Sequence, residues 1–390
     1  MTRWLIVVTM LCTACAGVLG GCAPLQRLPD PQPLLADAAF DTHGVEVDAS
    51  QVLAMSPAME RYLRVDIARE LRQLGPRDGL IRALYTSGQL RLDYDATYTR
   101  NAAEAFEARS GNCLSLVVMT AALARHLGLP VTFQLVSTEE VWTRSGDLVL
   151  DNAHINISLA RHAAESRHRI DTASSVVIDF LPQAALEHQR AHQVDEASVI
   201  AMFMNNRAAE ALALGRLDVA YAWSRAALLH APHFIGSYAT LGVIYTRRGL
   251  RAQAEAVYRH VLAHDGRHVV AMSNLARLLA QQGRDEEAAL WTRRLVQLEP
   301  RAPFQDFMLG RQAYSAGDYA RARSLFVREL ERSPGYHEVH FWLAVTDYAL
   351  GDVGAARMQL ELAVQASHTS GERALYAGKL ARLRAVEAHP

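Results

Sequence analysis
The stretch Leu241-Gly242-Val243-Ile244-Tyr245-Thr246-Arg247-Arg248-Gly249-Leu250-Arg251-Ala252-Gln253-Ala254 is one copy of a pattern that returns every 34 residues through the second half of the chain. Gly215, Gly249, Gly283, Gly317 and Gly351 share its frame, and an alanine stands five residues after each: Ala220, Ala254, Ala288, Ala322 and Ala356. Leu241-Gly242, Leu275-Ala276, Leu309-Gly310 and Leu343-Ala344 recur ahead of the glycines, and Pro232, Pro300 and Pro334 close three of the units. Small residues at fixed places in a fixed period are what a two-helix repeat needs. Gly makes the turn between the helices, Ala lets them approach, and Pro stops the second one. The pattern therefore predicts an all-α solenoid of five units over residues 201–368, closed by a capping helix over 372–388.

In period and signature positions this half is similar to the tetratricopeptide repeat. The resemblance implies a groove for a protein or peptide partner, lined from the second, fifth, ninth and twelfth positions of the first helices. Those positions hold Arg277, Phe304, Phe307, Arg311, Tyr314, Phe341 and Tyr348 in the later units. Aromatics beside arginines suit a peptide or its terminal carboxylate. Because repeat stability is mostly nearest-neighbour, a fragment from about Asp195 onward is expected to fold alone.

Upstream the periodicity is mixed. The chain of 390 residues carries 40 Lys+Arg against 41 Asp+Glu, with 50% hydrophobic residues, enough for two domains and without a basic field for a phosphate backbone. Walker, GxGxxG and zinc-finger spacings are absent, so nucleic acid is not expected as a partner and no cofactor is implied. Lys379 is the only lysine. Helical spacing runs over residues 59–74, 80–90 and 113–127, the last ending at Gly128-Leu129-Pro130; strand-like runs follow at 131–136, 148–159 and 176–180. Helices first and strands after predict an α+β domain with an antiparallel sheet over residues 40–190.

Ahead of it, Arg3, an apolar run to Leu11 and Leu19-Gly20-Gly21-Cys22 read as a signal peptide over residues 1–21. Leu-Gly-Gly-Cys resembles the lipobox of bacterial lipoproteins. That resemblance implies a lipidated Cys22, a membrane attachment through its acyl chains, a tether over residues 22–39 and, with Ala23 next, a periplasm-facing place on the outer membrane. Cys12 and Cys15 leave with the signal, so Cys113 is the one free thiol of an exported protein, either buried and inert or kept for its reactivity.

Cys113 follows Gly111-Asn112 at the start of an apolar-periodic helix, where free N–H groups and the helix dipole favour an anion. In Asn152-Ala153-His154-Ile155-Asn156-Ile157 the even positions are polar, so His154 is expected to leave the core face for water or a cleft, with Asn152 and Asn156 beside it. Asp179 sits in the apolar run Val176-Val177-Ile178-Asp179-Phe180, where a carboxylate needs a partner. Together they offer nucleophile, base and orienting acid. Gly111-Asn112-Cys113-Leu114-Ser115, His154-Ile155-Asn156 and Ile178-Asp179-Phe180 resemble the core motifs of the bacterial transglutaminase-like superfamily, with its papain-type arrangement. The resemblance covers residues 95–185 and implies Cys113 as nucleophile, His154 as general base and acid, and Asp179 as holder of the tautomer. Where a papain-like enzyme has Gln six residues upstream of the thiol, this chain has Glu107. The Cys113 N–H is the natural first oxyanion donor, and Asn112, Asn101 or Asn152 would have to supply the second, with Asn156 a further neighbour.

His188 with His192, and His260 with His264, have i,i+4 spacing but bring no Glu or Cys into a ligand set, so solvated helix faces are expected and no metal site. The reading is a lipid-anchored thiol enzyme acting on amide or peptide bonds, with hydrolysis favoured over acyl transfer because water always competes. A non-catalytic outer-membrane scaffold that uses the repeats is the alternative.

Overall fold
A computed structural model describes residues 30–388, apart from 86–91, 96–97, 138–141, 146–147, 152–153, 162–174, 181–189, 299–303 and 368–369. Ser56 caps α1 (Pro57–Arg61), its hydroxyl accepting from Met59 N at 3.3 Å, and Pro57 sits where a missing N–H is harmless. One helix is expected over 59–74. The chain instead widens into a π turn at Tyr62–Asp66, with Ile67 N–H on Tyr62 O at 3.1 Å, before α2 (Ala68–Leu74). The wider turn lets Tyr62, Leu63 and Ile67 all reach the core. Helix α3 covers Pro76–Tyr85, and a short strand β1 (Asp93–Tyr94) pairs in parallel with β2 (Ser110–Gly111) on either side of α4 (Ala102–Ala108).

Helix α5 (Cys113–His126) is apolar on all sides and correspondingly buried on all sides, from Leu114 to Ala124. It packs on a four-stranded antiparallel sheet of order β7-β6-β3-β8, formed by β3 (Val131–Ser137), β6 (His154–Ala160), β7 (Ser175–Ile178) and β8 (Arg190–Val194). The run at 148–159, expected as one strand, is two: β5 (Leu148–Asp151) pairs with β4 (Trp142–Ser145) in a separate hairpin, and β6 enters the sheet. His192 is also not on a helix. It lies on β8 opposite Leu135, while His188 falls outside the described residues.

Among the described residues the second half is five helix pairs and a closing helix: α6 (Glu196–Ala213), α7 (Leu217–His230), α8 (Ile235–Arg248), α9 (Arg251–His264), α10 (Val269–Gln281), α11 (Asp285–Leu298), α12 (Gln305–Ser315), α13 (Tyr319–Arg332), α14 (His337–Ala349), α15 (Val353–Ala366) and α16 (Ser370–Ala388). The five frame glycines, Gly249 among them at φ 82°, all take the left-handed backbone that turns one helix into the next. Asp195 caps α6, accepting from Ser198 N at 2.8 Å.

That first repeat helix also belongs to the first domain. Val199, Ile200, Met202 and Phe203 are buried in one cluster with Leu116, Phe133, Ile155 and Ile157. A fragment cut at Asp195 would therefore expose this face to water.

The described part of the expected tether is fastened to the repeats. Two 3₁₀ turns, Gln32–Leu34 and Asp37–Ala39, lie on them: Asp37 accepts from Tyr221 Oη at 2.6 Å and from Arg225 Nε at 2.8 Å, and Arg248 donates to Ala39 O at 3.0 Å. Phe40 stacks on Tyr221 with ring centroids 4.0 Å apart and planes within 7°. Phe40→Ala should cost about 3 kcal/mol, the low end for a buried aromatic, because Arg248 already covers part of the ring. A denaturant melt of the full chain checks this, together with faster proteolysis ahead of residue 40.

Candidate active site
Asn112 fixes where Cys113 sits. Its Oδ1 accepts from Ser115 N and Ser115 Oγ, each at 2.9 Å, which caps α5, and its Nδ2 donates to Thr99 Oγ1 at 2.8 Å. Ser115 Oγ in turn accepts from Arg100 N at 2.8 Å. Behind this knot stands the repeat half, because Glu210 of α6 accepts from Thr99 N at 2.7 Å through Oε1. Burial pushes the Glu210 carboxyl up, against the bond from Thr99 and the nearby Arg207 and Arg100. The start of the thiol helix is thus tied to the first repeat helix. A side chain at Gly111 would put its Cβ 2.5 Å from Ser115 Cβ, so only glycine lets β2 lead this closely into α5.

His154 begins β6 and Asp179 lies one residue past the end of β7. The register pairs Ile157 with Ile178, which brings Asp179 beside the polar face of β6. His154 Nε2 donates to both carboxylate oxygens, at 2.9 and 3.0 Å, and Asn156 Nδ2 donates to Oδ2 at 3.2 Å. With Nε2 engaged, Nδ1 is the ring nitrogen left free of Asp179, and the neighbouring Cys113 is one of the groups that raise the basicity of the ring. Of the two expected surroundings, water or a cleft, open water does not apply to His154: its side chain is 3% exposed and that of Asp179 9%. The polar face of β6 is covered by the carboxylate that follows β7.

Burial works to lower the basicity of the imidazole. The hydrogen bonds to Asp179 and Cys113 and their charges outweigh it and raise the ring to about 9. At neutral pH the ring is an imidazolium between a carboxylate and a sulfur, the pairing that activates a thiol nucleophile. The Asn112 amide is committed at both ends and Asn101 caps α4, its Oδ1 accepting from Glu104 N at 2.9 Å. Asn152 lies outside the described residues, as does the whole of 1–29 with Cys22. Sequence reasoning missed Thr99, Glu210 and Tyr94. Burial, and after it the charge of the neighbouring Cys113 sulfur, push the ionisation of the Tyr94 phenol up.

On the repeats, two expected groove residues are core instead. Phe304 is 5% exposed and Phe307 fully buried, packed with Phe326 and Tyr336, because the kinked entry to α12 turns both rings inward. Arg311 lies over Trp342 at 4.9 Å and Tyr314 edges onto the same indole at 5.5 Å. Arg277 is engaged with neighbouring groups. Phe341 stacks on Tyr376 of α16 at 5.2 Å, and Tyr348 is 52% exposed. These two help line a hollow of about 270 Å³ with Val345 and Leu360, and with Lys379 and Arg382 of the closing helix, two cations that the repeat frame did not point to. The hairpin β4–β5 rests on α8 and α10, so the first domain also touches the first helices of the second and third units. The rings of His260 and His264 lie 4.5 Å apart and tilted by 43° on α9, and among the described residues no group of three His, Cys, Asp or Glu could hold a metal ion.

The sequence model of the tetratricopeptide repeat matches residues 240–304 and 307–372. The helical half carries tetratricopeptide repeats. Solved structures similar to it include the thermophilic tetratricopeptide protein TTC0263 of Thermus thermophilus, at 20% identity and TM-score 0.33 over 46% of this chain and 98% of that one. Pseudomonas aeruginosa pilF is similar at 24% identity and TM-score 0.31, over 48% and 85%. Yeast Tom70 is similar at 15% identity and TM-score 0.36, over 48% and 40%. No curated protein matches the chain. Repeats of this type typically mediate contacts between proteins, and among the described residues no helix is long and apolar enough to cross a membrane.

Proposed function
We propose that the protein is a thiol enzyme of transglutaminase-like type that opens amide or peptide bonds in substrates held by its repeats. The observation that carries this is the relay from Cys113 through a buried His154 to Asp179, whose two oxygens both take Nε2. The sulfur attacks a carbonyl carbon, forming the C–S bond and moving the π pair onto oxygen. As the C=O re-forms and the C–N bond breaks, His154 gives its proton to the leaving nitrogen. A thioester remains on Cys113. The neutral ring then takes a proton from water, whose oxygen attacks the thioester; the C–S bond breaks, the acid leaves, and thiolate and imidazolium return. Water is the acceptor favoured here, since among the described residues none marks a place for an amine.

The lipobox resemblance of Leu19-Gly20-Gly21-Cys22 supports a lipid anchor at Cys22 and a periplasm-facing place on the outer membrane. From Cys22 to the fastened segment at Asp30 an extended chain reaches roughly 25 Å, which would keep the repeats near the bilayer. Release from membranes by Cys22→Ser would support that anchoring. For the chemistry, p-nitrophenyl acetate should leave one acetyl group on Cys113, seen by peptide mass spectrometry, and none in His154→Ala. Acetylation elsewhere, or none, would overturn the enzyme reading. The matching repeat pattern favours the second reading, a scaffold whose only task is to bind a partner, and that reading would then stand.

A further inference from the structure
The array of helices ends in a hollow of about 270 Å³, where α14 and α15 meet the closing helix α16. Ala344 and Ala356, the small signature residues of the last unit, are buried at its base, and Leu360 and Leu383 add buried apolar walls. Phe341 stacks on Tyr376 at 5.2 Å, which seats the closing helix beside it. Sites that enclose a whole small ligand measure roughly 300–1,000 Å³, so this smaller hollow suits one end of a larger molecule.

Its rim is charged. Lys379 and Arg382, three residues apart and so on one face of α16, are exposed and border the hollow together with the half-exposed Tyr348 of α14. The other cations of this helix are engaged: Arg373 donates to Ser367 O at 3.1 Å and Arg384 to Glu361 at 2.7 Å. Among the described residues no carboxylate meets Lys379 or Arg382. Two uncompensated cations over an apolar hollow fit an anion with an apolar body. We propose that this hollow docks the C-terminal end of a polypeptide partner whose last side chain is large and apolar.

The last side chain fills the hollow, and the terminal carboxylate lies between the ammonium of Lys379 and the guanidinium of Arg382. Burial of the side chain supplies most of the affinity. The two cations are exposed and screened by salt, so each adds only a few-fold, and their main effect is to select a free chain end over an amide. Both cations come from the closing helix, outside the repeat period, so this site belongs to the cap of this chain and not to the groove positions counted from the repeats. It holds equally whether the first domain is a thiol enzyme or a recognition module.

The test uses the full chain and a pentapeptide of glycine and serine that ends in phenylalanine, carries a dansyl group on its N-terminus, and is made as free acid and as C-terminal amide. Fluorescence anisotropy should show the acid binding about tenfold more tightly than the amide. A counterpart ending in glycine should bind about tenfold or more weakly than the phenylalanine acid. Lys379→Gln combined with Arg382→Gln should bring the acid to the level of the amide while the thermal melt stays in place, since both side chains are exposed. Lys379 is the only lysine, so a carbodiimide, which joins a carboxylate to an amine and leaves as its urea, should place the acid on Lys379, read by peptide mass spectrometry. Equal binding of acid and amide, binding indifferent to the two substitutions, or no cross-link at Lys379 would overturn the proposal. Decanoate binding where the peptide does not would overturn it in favour of a fatty acid, and a dimer that the two substitutions split would do so in favour of a second copy of the chain. None of these outcomes touches Cys113, so a failure here leaves the enzyme reading standing.

Discussion
Replacing His154 with alanine is expected to slow alkylation of Cys113 by iodoacetamide about 100-fold at pH 6. Alkylation consumes the thiolate, and a neighbouring imidazolium is one of the settings that favour that form. The ring that holds the proton is raised to about 9 by Asp179 and Cys113 against its burial, so it is charged throughout the acidic and neutral range. Removing it takes away the neighbouring imidazole and leaves Asp179, 9% exposed, without its main partner. Asp179→Asn should act in the same direction but less strongly, because an amide can still accept from Nε2 without stabilising the ring's charge. Peptide mass spectrometry after timed alkylation at several pH values gives both rates. Equal rates in all three proteins would show that Cys113 is only a packed residue.

Asn112→Ala is expected to destabilise the first domain by about 2 kcal/mol, as a lost helix cap plus a buried hydroxyl without its partner. The loss would not be local. Asn112 Nδ2 holds Thr99, Thr99 N–H is held by Glu210 of α6, and Phe203 and Ile200 of the same helix lie in the core under the sheet. Asn112→Asp separates the two parts, since it keeps an N-cap acceptor while losing the donor to Thr99. Chemical melts of the two variants should therefore rank wild type, then Asp, then Ala. Equal midpoints for all three would refute the knot described at the start of α5.

The helical half was legible because its message is local: each 34-residue unit repeats the same glycine, and each of those glycines turns the chain in the same way. What the period does not reveal is that α6 also serves the first domain's core. Phe304 and Phe307 occupy groove positions by counting, yet pack inward because a left-handed residue at Phe304 redirects the entry to α12. At the site, Cys113, His154 and Asp179 announced themselves by type and pattern. Alternation along β6 separated the polar face correctly but could not say that Asp179, 25 residues later, would cover it. Tyr94 gave no signal at all, since a two-residue parallel pairing leaves no periodicity to read.

The sign of the pH dependence follows from the same ring. His154 is raised from 6.5 to about 9 in the folded chain, so its contribution to stability is complete below 6.5 and is lost as the pH climbs through 9. Thermal unfolding midpoints should therefore fall between about pH 6.5 and 9, and Asp179→Asn should flatten that fall.

The most direct measurement is an NMR titration of the His154 ring in the full chain, with isotope-labelled histidine and the resonance assigned by its absence in His154→Ala. The ring should lose its proton near pH 9 in wild type and at a clearly lower pH in Asp179→Asn, with the Nε2 proton visible in the neutral range. A ring that titrates at its ordinary 6.5 in both proteins would contradict the Cys113, His154 and Asp179 relay, and with it the enzyme that the relay implies.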